Sequence, residues 1–159
     1  IAPRAAMDDV RKAKTVPKSV DWRPAYNLLT SASSVKIGDA DMLFELGRLA
    51  WWIAQYKELS ESERQVWLSR AVGHLEQAVK YRPAMGRSWI ELANVRLQKK
   101  DYWQAKKDLF VGIKLAPYEA NSHWMALWTG FAIWILLSGD EREQLLEQAR
   151  FVIEHGEPS

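Results

Sequence analysis

Histidines, carboxylates and serines are the side chains of this sequence through which an enzyme could act, and their spacing favours no such chemistry. His74, His123 and His155 lack the spacing of a metal site, with one another or with carboxylates. The acidic residues Glu141 and Glu143 fall at a predicted helix start, where they oppose the helix dipole. We therefore expect surface or helix-capping histidines, no metal, no cofactor and no catalysis unless another chain contributes catalytic groups.

Glycines and serines do not supply the missing chemistry either. The eight glycines are scattered along the chain, so no phosphate-binding loop is formed. No serine lies in the strand–turn–helix motif that exposes a nucleophile. A binding role is the better expectation.

Composition limits the class of protein further. The chain has 159 residues, a net charge of +2, no cysteine and nine tryptophans. This length suits one domain, and the charge is too small to indicate a nucleic-acid partner. The most apolar stretch, residues 124–137, is shorter than the roughly 20 residues that span a bilayer, so it predicts a buried helix. The first residue is Ile1, not methionine, so a membrane anchor ahead of it is left open.

An internal repeat organises the middle of the chain. Similar residues recur there with a period of about 34 residues. The pairs are Ala71 and Ala105, Leu75 and Leu109, Ala78 and Gly112, Val79 and Ile113, and Pro83 and Pro117. Their order is that of a helix with small contact positions, which a proline then ends. The repeat therefore predicts stacked helical hairpins.

The unit from Arg87 to Pro117 resembles a tetratricopeptide repeat. Its first helix carries the aromatic, leucine and small residue of that pattern, at Trp89, Leu92 and Ala93. After a turn near Lys100 and Asp101, its second helix carries Tyr102, Ala105 and Gly112 ahead of Pro117. The sequence departs from the family at Arg96 and Leu109, where the pattern has aromatic residues.

The flanking units are lengthened forms of this pattern. Leu43, Leu46 and Gly47 match Trp89, Leu92 and Ala93 in type and order. Their separation exceeds one repeat by about 12 residues, which we place as an insertion between the helices of the first unit. Within the insertion, Ser60 and Glu63 form the sequence signature of a capping box that starts a helix.

The third unit pairs residues 124–137 with a helix from about Asp140 to His155, which Gly156 and Pro158 would end. Its register is open, since Trp124/Leu127 and Trp128/Phe131/Ala132 both fit the repeat in part. Upstream, Asp21 is expected to cap a short leading helix from Trp22 toward Ala32.

We therefore predict an all-α fold: a tetratricopeptide-like right-handed solenoid of about three helical hairpins, preceded by a short leading helix. Residues 1–20 are expected to form a basic arm or linker. The helical domain then covers residues 21–156, in units of roughly 21–83, 84–117 and 118–156.

The resemblance implies a binding groove lined by the first helix of each hairpin. Carried over by position, its exposed residues would be Asp41, Phe44, Arg48, Trp51 and Trp52 in the first unit, and Arg87, Ile90, Asn94, Leu97 and Gln98 in the second. This mixture of aromatic and arginine side chains suits a peptide or a polar polymer. Alternatively, Trp51 and Trp52 pack beneath the insertion.

The third hairpin offers a second candidate surface. Trp124, Trp128, Trp134 and Phe131 are expected on different faces of a helix that is apolar nearly all round, and the three tryptophans are the candidate interface residues. Core packing is the favoured interpretation, and an interface with a partner is the alternative.

A narrower resemblance covers about residues 20–155. The stretches HLEQAVKYRPAMGRSWIELANVRL, LAPYEANSHW and GDEREQLLEQARFVI are similar to VpsP-like tetratricopeptide proteins of bacterial exopolysaccharide and surface-polysaccharide loci. This resemblance implies a periplasmic or membrane-anchored scaffold that binds protein partners during polysaccharide synthesis or export. A structural subunit of a larger complex and a cytoplasmic adaptor of the co-chaperone type are the alternatives, and the oligomeric state is open.

Overall fold

Every regular element that the computed structural model describes is helical. The structure describes residues 21–33, 38–116 and 120–155. The helices are α1 (Arg23–Ser33), α2 (Ala40–Ala54), α3 (Glu61–Tyr81), α4 (Gly86–Gln98), α5 (Tyr102–Leu115), α6 (Ala120–Ala132) and α7 (Gly139–His155), with a 3-10 turn at Trp134–Leu136. The predicted fold class, an all-α arrangement of tetratricopeptide-like hairpins behind a short leading helix, is confirmed.

The chain divides into two compact units, Ile1–Pro83 and Ala84–Ser159. In the first unit α2 packs against α3, and α1 packs against α2. In the second unit α4 and α5 form a hairpin, α6 packs on α4, and α7 packs on α6. The proposed basic arm at residues 1–20 lies outside the described residues, and the predicted repeat boundaries stay predictions.

Polar side chains begin the helices where the sequence places them. The predicted capping box is confirmed: the Ser60 amide donates to Glu63 at 2.8 Å, and the Glu63 amide donates to Ser60 Oγ at 3.3 Å. Asp39 and Asp101 accept from amides of α2 and α5. The leading helix begins at Arg23, whose amide donates to Asp21 at 3.0 Å.

The insertion makes the first hairpin longer instead of adding an element. Helix α2 has 15 residues against 13 in α4, and α3 has 21 against 14 in α5. The segment that connects the two helices is also longer, at 55–60 against 99–101. Together these differences account for the whole insertion. Its largest part extends α3 at its start, toward the leading helix.

Glycines let the helices of each hairpin approach closely. A Cβ atom on Gly47 of α2 would lie 2.5 Å from Leu75 Cγ, and one on Gly112 of α5 would lie 2.5 Å from Ile90 Cγ1. In the third hairpin, a Cβ on Gly130 would lie 2.6 Å from Leu145. Gly130 thus makes in the third hairpin the kind of close contact that Gly47 makes in the first, and the two proposed registers of the third unit stay predictions.

The departure from the family at Arg96 has a structural reason. Arg96 forms an ion pair with the buried carboxylate of Asp108, across the α4–α5 hairpin. Gln104 also donates to Asp108, at 3.2 Å. A cation therefore stands where the family has an aromatic residue because its counterion lies on the facing helix.

Residues 124–137 do not form one buried helix, contrary to the prediction. Helix α6 ends at Ala132, and the chain tightens into the 3-10 turn at Trp134–Leu136. One face of α6, with Ala126, Leu127 and Ile133 just beyond it, joins the core of the second unit. The opposite face is exposed. Within the described ranges, no helix combines the length and the apolar character needed to cross a membrane.

Candidate interaction surface

The predicted groove residues of the first unit are largely built into its core. Phe44 and Trp52 are buried, whereas Asp41, Arg48 and Trp51 are half-buried. Arg48 donates to the buried carboxylate of Glu45 at 3.1 Å. Its guanidinium lies 4.9 Å from the centre of the Trp52 ring. The expectation that Phe44 and Trp52 are exposed is therefore wrong.

Trp52 is covered by the leading helix segment. The ring of Trp22 lies 5.3 Å from that of Trp52, and the Trp22 amide donates to the Tyr56 hydroxyl at 2.5 Å. The alternative, that Trp52 packs inside instead of lining the groove, agrees with its burial, and that it packs beneath the insertion stays a prediction. Asp41 also has a partner within the first unit, since Arg82 donates to it at 3.1 Å.

The groove residues of the second unit divide in the same way. Ile90 and Asn94 are buried, whereas Arg87, Leu97 and Gln98 are half-buried. Ile90 lies against Gly112 in the hairpin contact, so its side chain serves helix packing. The expected exposure of Ile90 and Asn94 is wrong, and partner binding by this set stays a prediction.

The described helix α6 carries an exposed row of large apolar side chains, here named the α6 stripe. Its members are Trp124, Trp128 and Phe131, which are 63%, 72% and 49% exposed, and Ile135 in the following 3-10 turn, which is 86% exposed. Trp124, Trp128 and Phe131 are separated by four and three positions and share one face of α6, whereas Ile135 lies beyond the end of the helix. The favoured interpretation of Trp124 and Trp128 as core residues is wrong.

The sequence-based placement of Phe131 on a different face from Trp124 and Trp128 is wrong, and Ile135 was missed. For Phe131 the signal was present in its spacing from Trp124 and Trp128. It was ambiguous because an apolar helix gives no polar face to mark the solvent side. Trp134 is half-buried instead, with the Arg142 guanidinium 5.3 Å from its ring and Phe131 at 5.7 Å.

The α6 stripe lies on a helix without acidic or basic residues of the Asp, Glu, Lys or Arg type. Its one histidine, His123, is buried, and its ring lies 5.0 Å from that of Phe151 in α7. The surface is therefore apolar and has no charge of its own. Several large apolar side chains exposed side by side are typical of contact sites.

The histidines are more deeply embedded than expected. His74 is half-buried, and its Nε2 lies 2.9 Å from the Tyr26 hydroxyl of α1. Burial, and secondarily the charge of Arg70, lowers the pKa of the His74 imidazole. The prediction of surface or capping positions is wrong for His74 and His123, whereas His155 is exposed in the last turn of α7.

The described residues contain no group of three or more histidine, cysteine or acidic side chains placed to hold a metal ion. That the protein needs no metal or cofactor and is not an enzyme stays a prediction.

Comparisons with known proteins add a likeness of fold. No family model matches the chain, and no curated protein matches it. Among solved structures, one titled "Crystal structure of MamA protein" is 10% identical. The likeness covers 99% of this chain and 97% of that chain, with a TM-score of 0.42.

Proposed function

We propose that this chain is a non-enzymatic protein-interaction scaffold whose main contact surface is the α6 stripe. A tetratricopeptide-like fold points to that class of function. The observation that carries the proposal is the exposure of Trp124, Trp128 and Phe131 on one uncharged face of α6, with Ile135 exposed in the turn that follows. Tryptophan in particular is enriched among the side chains that dominate binding energy.

Comparison with α2 and α4, the first helices of the other two hairpins, supports a binding role for this face. Most side chains of α2 and α4 are buried, including polar ones such as Glu45 and Asn94. Helix α6 begins its hairpin as α2 and α4 begin theirs, yet one side of it has no neighbour in the described structure. A bound protein would give the α6 stripe the cover that the other two helices already have.

Capture experiments test the proposal. The chain is immobilised and exposed to an extract of its native host, beside the variant Trp124→Ser/Trp128→Ser. A matched control is Trp103→Ser, since Trp103 is 66% exposed on α5 and lies outside the α6 stripe. Proteins captured by the wild type and by Trp103→Ser should be lost with the double variant. Equal capture by all three proteins would remove the α6 stripe from the proposal.

The groove predicted from the sequence is the alternative contact surface. The half-buried groove residues Arg48 and Trp51 of the first unit retain accessible area, as the resemblance implies for peptide binding. In the second unit, the half-buried Arg87 does so as well. Capture lost with Trp51→Ala, or separately with Arg87→Ala, and retained with the stripe variant, would favour the groove residues of that unit. The chain would then act as a peptide-binding adaptor and not as a subunit held through its third hairpin.

We further propose bacterial cell-envelope polysaccharide synthesis or export as the setting, with the chain periplasmic or membrane-associated. The support is the resemblance of residues 20–155 to VpsP-like proteins. Deletion in the host should reduce surface polysaccharide, and fractionation should place the protein in the envelope. A protein confined to the cytoplasm, with polysaccharide unchanged, would favour the cytoplasmic adaptor instead.

A further inference from the structure

The outward side of α5 carries two cations and no acidic residue. Lys107 and Lys114 are exposed and lie seven residues apart, which is two turns of the helix. The exposed Trp103 and Val111 share this side, because they precede the two lysines by four and three positions. The one acidic residue within α5, Asp108, is buried in its ion pair. The four exposed residues Trp103, Lys107, Val111 and Lys114 are named the α5 face.

Helix α7 presents the opposite charge with the same spacing. Glu147 and Glu154 are exposed and also lie seven residues apart. Each directly follows an exposed apolar residue, Leu146 in one case and Ile153 in the other, and Ile153 is 82% exposed. These four residues are named the α7 face, which lies on the side of α7 away from its buried residues.

The charges of the two faces have no partner in the described part of the chain. Neither lysine of the α5 face and neither glutamate of the α7 face forms an ion pair there. Glu154 also lies in the last turn of α7, where a negative charge is unfavourable for the helix. Two further exposed charges on this side, Glu143 and Arg150, are opposite in sign, so the α7 face keeps its negative surplus.

We propose that copies of this chain associate head to tail, with the α5 face of one copy against the α7 face of the next. Two lysines and two glutamates with the same separation, about 10 Å along the helix axis, form two ion pairs in a single register. The exposed apolar residues of both faces are buried beside them, which adds a hydrophobic contribution. The inference goes beyond the proposed function, because it does not use the α6 stripe and names a second copy as the occupant of each face.

The nature of the contact determines how the association behaves. One helix against one helix is a small interface, of the weak and transient class below about 1200 Å². Complementary charge speeds association and makes the affinity fall as salt is raised. Because two different faces meet, each pair of copies keeps one unused face of each kind, so further copies add as the concentration rises.

Exchange of charge between the two faces tests the contact. Lys107→Glu/Lys114→Glu gives a chain with two acidic faces, and Glu147→Lys/Glu154→Lys gives a chain with two basic faces. Each variant alone should stay monomeric, because every pairing of its own faces brings like charges together. An equal mixture of the two variants should associate, because each face of one variant then meets the opposite charge on the other.

Sedimentation velocity provides the measurement, at about 20 mM salt, where charges are weakly screened. At about 200 µM, above the dissociation constants of most weak complexes, the wild type should sediment faster than a monomer. Its sedimentation coefficient should fall when the chain is diluted or the salt is raised, and the mixture should behave in the same way. Circular dichroism confirms that the variants keep their helices, which is expected because all four charged residues are exposed.

Two variants that keep both faces serve as matched controls. Lys57→Glu/Lys80→Glu makes the same change of net charge at exposed positions of the first unit, so it separates the α5 face from an effect of net charge. Trp124→Ser/Trp128→Ser removes the tryptophans of the α6 stripe, so it separates this contact from the one in the proposed function. Both controls should associate as the wild type does.

Four results would overturn the inference. They are a monomeric wild type, a charge variant that associates alone as the wild type does, a mixture of the two folded variants that stays monomeric, and a control that loses association. Loss in Lys57→Glu/Lys80→Glu would assign the association to net charge, and loss in Trp124→Ser/Trp128→Ser would place the contact on α6. Capture of host proteins through the α6 stripe is measured separately, so the proposed function stands or fails on its own result.

Discussion

At the scale of single residues, close approach between helices depends on the absence of a side chain at a few positions. Gly47 faces Leu75, which is fully buried and has no room to move away. Gly73, in the middle of α3, is different, because a Cβ added there meets nothing within 4 Å. The two glycines form a natural pair for comparison.

We expect Gly47→Ala to destabilise the protein by about 1–3 kcal/mol, because the new methyl group overpacks the α2–α3 contact. Gly73→Ala should stabilise it by about 0.5–1 kcal/mol, since alanine restricts the unfolded chain and favours the helix. Urea denaturation followed by circular dichroism measures both. A Gly47→Ala variant as stable as the wild type would contradict the close contact.

The Arg96–Asp108 pair gives a second prediction at this scale. Both side chains are largely withdrawn from solvent, so removing one leaves a buried charge without its partner. Asp108→Leu alone should lower the free energy of unfolding by about 3 kcal/mol. Arg96→Met/Asp108→Leu should recover most of that loss in the same urea experiment. Additive losses in the double variant would show that the two side chains act independently.

At the scale of elements, the leading helix is attached through aromatic side chains. Tyr26 of α1 packs edge-on against Trp67 at 5.0 Å and meets His74 through its hydroxyl. Both partners lie on α3, and Trp67 belongs to the part that the insertion added. The longer hairpin thus provides part of the surface on which α1 is seated.

The attachment of α1 should depend on pH. Because the folded-state pKa of His74 lies below its ordinary value of 6.5, the unfolded chain binds the proton more readily. The stability contributed by neutral His74 is fully present above about pH 6.5 and is lost as the pH falls toward the folded-state pKa. The melting temperature should therefore decrease from pH 7.5 to pH 5.5, and His74→Gln should make that decrease smaller. An unchanged pH dependence in the variant would contradict this assignment.

Several elements could be predicted from the sequence because local chemistry determines them. The Ser60–Glu63 capping box needs only residues three positions apart, and the internal repeat marks the small contact positions such as Ala71 and Ala105. The break after Ala132 could not be predicted, since no proline or glycine lies between Phe131 and Leu137 to signal it.

At the scale of the whole molecule, the nine tryptophans serve different purposes. Trp22 and Trp52 are buried, Trp51, Trp67, Trp89 and Trp134 are half-buried, and Trp103, Trp124 and Trp128 are exposed. The candidate surface could be predicted only in part for this reason. Tryptophan occurs both in protein cores and at interfaces, so residue type alone does not distinguish the buried Trp52 from the exposed Trp128.

Stability measurements should separate these classes. Trp52→Ala should lower the free energy of unfolding by about 3–5 kcal/mol, because it empties a site between Arg48 and Trp22. Trp128→Ala should change it by no more than about 0.5 kcal/mol, since Trp128 is exposed. A large loss from Trp128→Ala under these conditions would indicate that Trp128 packs within its own chain.

Helix α7 is attached to its unit less firmly than the helices before it. Helix α7 packs chiefly against α6, and the Lys106 ammonium joins its first turn to α5 by contacting Glu141 at 2.8 Å and the Leu136 carbonyl at 3.1 Å. Opening of α7 alone would therefore require less free energy than unfolding of the α4–α5 hairpin. Amide hydrogens of α7 should exchange with deuterium ahead of those in α4 and α5. Acetylation of Lys106, which removes its charge, would speed that exchange further.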